Sequence, residues 1–88
     1  MTKSLYKYLK NSFPEIEKLF SEAEMERFKN TPPEDLYLYH FGLGTWIRNN
    51  LITQDKKLFK MFLWEDIWHI DDMSDIVIRE FQRYCKDK

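Results

Sequence analysis

Apolar side chains recur at steps of three or four along most of the chain, the spacing that places them on one face of an α-helix. The pattern is densest from Thr31 to Ile52, TPPEDLYLYHFGLGTWIRNNLI. Thr31 suits an N-cap, with Glu34 three residues on as in a capping box. Pro32 and Pro33 fit a first turn, where a missing N–H costs little, and Glu34 and Asp35 complement the helix dipole. Leu36, Tyr39, Leu43, Trp46, Ile47 and Asn50 make one stripe, widened by Leu38 and Phe41. The spacing predicts a single helix over about 32–52, apolar around most of its circumference and therefore central to a small domain.

The flanking segments are predicted to be shorter helices. Ser4 to Asn11 puts Leu5, Tyr8 and Leu9 on one face and Lys3, Lys7 and Lys10 on another. Ser12-Phe13-Pro14-Glu15 reads as a break and restart. Ile16, Leu19, Phe20, Ala23, Met25 and Phe28 then keep helical spacing to about Asn30, as one helix or as two divided at a Ser21/Glu24 cap. Thr53-Gln54-Asp55 ends one element and starts another, which runs to about Phe62 as a helix because a lone strand would have no mate. Trp64 to Ile70 is expected to be an irregular, aromatic-rich connection. Asp71 or Ser74 is expected to cap a last helix carrying Met73, Ile76, Val77, Phe81 and Tyr84 on its apolar face. The expected fold is all-α: one domain over 1–88, with four to six short helices packed around the helix at 32–52.

Composition narrows the function classes. With formal net charge −1 and interspersed acids and bases, no general field favours nucleic acid or an acidic membrane surface. No stretch approaches a membrane span and no secretory leader is visible. The single cysteine, Cys85, forms no internal disulfide and suits a reducing compartment, so the expected location is the cytoplasm. Aromatic residues make up 17% of the chain, with three tryptophans and seven phenylalanines. A domain this small does not easily bury them all, which points to an interface with another protein or a second copy. Phe59, Phe62, Trp64 and Trp68, in the most apolar stretch of weak local pattern, are the expected interface residues.

The row Leu36, His40, Gly44, Arg48, Ile52, at steps of four, sets a glycine between a histidine and an arginine. Glycine inside a helix costs roughly 1 kcal/mol against alanine, so Gly42 and Gly44 imply close packing, a notch for a ligand, or a kink. Asp71 and Asp72 at the start of the last helix can reach across to Arg48. His40, Gly44, Arg48, Asp71 and Asp72 therefore form either a polar clasp fixing a helix crossing or a ligand or partner site. For a metal, His40, His69, Asp71, Asp72 and Glu65 are suitable donors, but their spacings match no usual signature. No nucleophile with a matching base can be read, so no catalytic residue and no cofactor are expected.

The run His40-Phe41-Gly42-Leu43-Gly44-Thr45-Trp46-Ile47-Arg48-Asn49-Asn50, followed by Asp71-Asp72-Met73-Ser74, resembles a family of small uncharacterised bacterial domains with an H-x-G-L-G-x-x-I-R-N helix and a later D-D-M-S helix start. The resemblance covers 31–88 and leaves 1–30 unmatched. It implies a mainly helical fold and a bacterial source, and it supplies no activity. Taken together, these features lead to the expectation of a non-enzymatic protein-interaction domain, such as an adaptor or an immunity-type inhibitor. The alternative is a small-ligand or metal site at the His40–Gly44–Arg48–Asp71–Asp72 cluster.

Overall fold

The seventeen-residue helix Ile70–Lys86 is the element on which most of the others pack. At 1.5 Å per residue it is about 25 Å long, in a molecule of principal extents 35 × 25 × 23 Å. The structure is a computed structural model and describes residues 2–88. Helices α1 (Lys3–Lys10), α2 (Phe13–Glu17) and α3 (Glu22–Lys29) form the N-terminal third; α4 (Leu43–Ile47), α5 (Lys56–Trp64) and α6 (Ile70–Lys86) follow. A 3-10 segment, Pro33–Tyr39, precedes α4, and a π-helical turn, Arg48–Ile52, extends it. Among the described residues there is no strand, so the fold is all-α as expected.

The start signals act locally where the chain supplies them. Thr2 accepts from the Leu5 N–H at the head of α1. Ser21 and Glu24 form a complete capping box, which resolves the Ile16–Asn30 segment into two helices. Asp55 caps α5 by accepting from the Lys57 and Leu58 N–H groups, and its other oxygen takes the Tyr8 hydroxyl at 2.7 Å. That bond holds the Tyr8 proton, raising its pKa above the ordinary phenol value. At the break after α1, Ser12 makes no side-chain cap bond, and α6 starts earlier than expected, after His69, with Ser74 inside the helix.

The continuous helix expected over 32–52 is instead three pieces of different pitch. Pro32, not Thr31, is the N-cap, and the Thr31 hydroxyl turns back to donate to the Arg27 carbonyl at 2.8 Å, closing α3. A 3-10 helix has three residues per turn, so side chains at i and i+3 eclipse. Leu36 and Tyr39 consequently face the core. Asp35 and Leu38 share another row, where Leu38 is 66% exposed, and Phe41, just past the segment, is 82% exposed. After Gly42 the α-helix begins and then widens: the Thr53 N–H donates to the Arg48 carbonyl, five residues back. The wide turn lets Ile47 and Ile52 both be fully buried, at a spacing an α-helix would splay apart.

The core is aromatic. Phe81 of α6 sits 5.5 Å from Phe13, 5.5 Å from Phe28 and 5.9 Å from Phe20, centroid to centroid. Gln82, almost wholly buried, donates from Nε2 to the carbonyls of Phe28 and Thr31, satisfying the open end of α3. Cys85 is buried beside them as a free thiol. Phe62, expected at an interface, is wholly buried on the inner face of α5, because it falls one turn after Leu58. Among the described residues, no helix is long and apolar enough to cross a membrane.

Candidate functional site

Arg48 leaves the chain where α4 passes into the π turn, and its side chain is only 14% exposed. Its Nη1 donates to Ser74 Oγ at 2.8 Å, and its Nη2 to Thr45 Oγ1 at 3.0 Å and the His40 carbonyl at 3.2 Å. Its Nε stands 3.6 Å from Asp71 Oδ1. Ser74, itself fully buried, passes the chain on by donating to the Asp71 carbonyl at 2.9 Å. One guanidinium thus ties the turn at His40, helix α4 and the first turns of α6. A planar fork with five N–H donors suits this better than a lysine.

Gly44 makes room for it. A Cβ at that position would stand 3.1 Å from Arg48 Nη1, 3.5 Å from the Tyr39 carbonyl and 3.7 Å from Ile78 Cδ1. The notch read in the sequence therefore exists, and Arg48 with α6 occupies it. At Gly42 a Cβ would meet nothing within 4 Å, so no contact requires glycine there.

The other members of the expected cluster separate. His40 turns its ring to α6, with Nδ1 2.9 Å from Asp75 Oδ1. An ionised carboxylate only accepts, so Nδ1 carries the proton. Phe41 stacks edge-on against the same ring at 5.0 Å. Asp72 points to solvent and, among the described residues, makes no side-chain hydrogen bond or ion pair; it does not belong to the cluster. Asp71, Ser74 and Asp75 share one face of α6 at steps of three and four. Asp75 was not legible as a partner for His40, because the sequence does not show that α6 lies against the 3-10 segment. Gln82 also carries no sequence signal.

His40 and Asp75 form an oriented imidazole–carboxylate pair, but among the described residues no Ser, Thr or Cys side chain hydrogen-bonds to the His40 ring. Ser74 Oγ instead accepts from Arg48 and donates to the Asp71 carbonyl. Glu65 closes α5 and His69 precedes α6, while His40 pairs with Asp75. Among the described residues no three His, Cys, Asp or Glu side chains gather as metal donors.

The expected interface residues other than Phe62 lie near the surface. Trp64, at the end of α5, is 84% exposed, and Trp68 is 63% exposed. The connection between them is irregular, as expected, and turns at Asp66, which has φ 65° and accepts the Trp68 indole N–H at 2.6 Å. Aspartate tolerates that left-handed conformation better than most residues. Phe59 is half-buried and floors an open groove of about 340 Å³ with Ile52, Thr53, Lys56 and Lys60. Leu38 and Phe41, which the sequence stripe had placed on the apolar face, are exposed, as is Tyr37.

Neither a curated protein nor a solved structure matches the chain. A family model described as a domain of unknown function, DUF6794, matches residues 7–85, taking in α2, α3 and part of α1 that the motif resemblance left aside, and the chain belongs to that family.

Proposed function

We propose that this domain is a protein-binding module without chemistry of its own, working in the cytoplasm and docking through exposed aromatic side chains. The observation that carries this is the contrast between a polar cluster satisfied from within and large apolar side chains left in water. Trp64 and Phe41 are each more than four-fifths exposed. Exposed tryptophan and tyrosine are the side chains that most often anchor an interface, because they bury much area for little lost rotamer freedom. An adaptor and an immunity-type inhibitor both work this way. Against a ligand or metal site at His40 and Arg48 stands the geometry, in which Arg48 spends its donors on Ser74, Thr45, His40 and Asp71.

The test is native mass spectrometry of protein purified gently from its own host, beside the Trp64→Ser/Trp68→Ser variant. A stoichiometric protein partner, or a second copy, that is lost in the variant while the fold persists supports the module. A stoichiometric small molecule or metal released on denaturation overturns it.

A further inference from the structure

Helices α1 and α5 pack against each other and hold six of the chain's fourteen basic residues and none of its fifteen acids. Lys3, Lys7, Lys10, Lys56, Lys57 and Lys60 are all exposed, and among the described residues none pairs with an acid. Asp55, the adjacent cap, is engaged by Tyr8 and the backbone. Two of the lysines lean over tyrosines instead: Lys57 stands 5.1 Å above the Tyr8 ring and Lys10 5.8 Å above Tyr6. A chain of net charge −1 thus concentrates unpaired cations on one helix pair, with Lys3 at its edge near Glu65, Glu80 and Asp87. Beside it, Lys56 and Lys60 rim the groove floored by Phe59.

The same chain presents the complement elsewhere. The 3-10 pitch sets half-buried Asp35 and exposed Leu38 in one row and Glu34 with Tyr37 in the next, and exposed Phe41 follows in the turn after the segment. Glu26 adjoins Asp35 and Leu38 from α3; Arg27 and Arg79 are the bases nearby. Acid beside exposed apolar surface faces a groove of apolar floor and basic rim.

We propose, resting on the protein-binding reading, that the partner includes a second copy of this chain, whose Glu34–Phe41 surface docks on the Lys56–Phe59–Lys60 groove. Opposite charges at the rim set register and speed encounter, while the apolar centre, Leu38 or Tyr37 against Phe59, excludes water. The contact joins two different patches, so it closes as a two-fold pair made twice or continues head to tail.

Sedimentation equilibrium of the full chain tests this at concentrations up to ~1 mM, in low salt and in high salt. The surface variants are Lys56→Glu/Lys60→Glu and Glu34→Lys/Asp35→Lys, each checked for wild-type helicity. The expected result is self-association that weakens about tenfold or more in high salt, is lost in each variant alone, and returns when the two variants are mixed. A monomer under all conditions, or association indifferent to both charge reversals, overturns the proposal. So does association that each reversal abolishes but mixing fails to restore. If Trp64→Ser/Trp68→Ser loses a different protein partner while the chain stays monomeric, the protein-binding reading stands and the second-copy assignment fails.

Discussion

Replacing Arg48 by methionine tests whether the clasp is what orients α4 against α6. Methionine keeps a stem of similar reach and removes the guanidinium. Ser74 Oγ, fully buried, loses the donor at 2.8 Å, and the His40 carbonyl loses one at 3.2 Å. Hydrogen bonds to a charged group contribute about 1.5–3 kcal/mol each. Asp71 is 64% exposed, so its ion pair adds under ~1 kcal/mol, and water replaces the bond to exposed Thr45. Relief from holding a shielded cation offsets part of the sum. The expected loss is about 2–3 kcal/mol, a large share of what a domain of this size possesses. At about 4–8 °C per kcal/mol, the melting temperature falls by about 8–24 °C. Urea unfolding followed by circular dichroism and tryptophan fluorescence measures it. Ser74→Ala, alone and combined with Arg48→Met, should show a coupling of about 1 kcal/mol. An Arg48→Met loss under ~0.5 kcal/mol, or strict additivity with Ser74→Ala, would refute the clasp.

Gly44→Ala should destabilise the wild type, because the new Cβ meets Arg48 Nη1 at 3.1 Å. The same change in the Arg48→Met background should instead stabilise, by up to the roughly 1 kcal/mol that alanine gains in a helix; paired urea titrations check the sign reversal. Gln82→Met should cost about 1–3 kcal/mol by stranding the Phe28 and Thr31 carbonyls, with faster amide exchange at the end of α3 as a local readout. Burial, reinforced by Glu17, pushes the Cys85 thiol from 9.0 up to about 11. The native state therefore favours the protonated thiol: that stabilisation is intact below pH 9 and is lost as pH rises through the folded value. The urea midpoint of wild type should fall relative to Cys85→Val over that range, and alkylation of the native thiol at pH 8 should track unfolding.

Caps and periodicity were readable because they are local. Ser21 with Glu24, Asp55 before α5, and the stripe Met73–Val77–Phe81 each report on residues within one turn, where backbone geometry decides the outcome. The resemblance motif marked the neighbourhood of α4 and α6 but not their starts, which fall at Leu43 and Ile70. The pitch of 32–52 was not readable, since apolar residues stand at steps of three, four and five within it and no local signal says which step the backbone follows. What chose among them was the demand that Leu36, Leu43, Ile47 and Ile52 all reach α6.

That difference also governs the site. From the order of residues alone follow an all-α domain, a helix start after Asp55, a free cysteine, an arginine in need of partners and more aromatics than a small core holds. Folding decided which partners Arg48 takes, that His40 turns to Asp75 rather than toward Arg48, that Asp72 stays in water, and that Phe62 is buried while Phe41 is not. These depend on distances between segments far apart in the chain. Such distances are set by how α6 packs across the other helices, and no stretch of neighbouring residues encodes that packing.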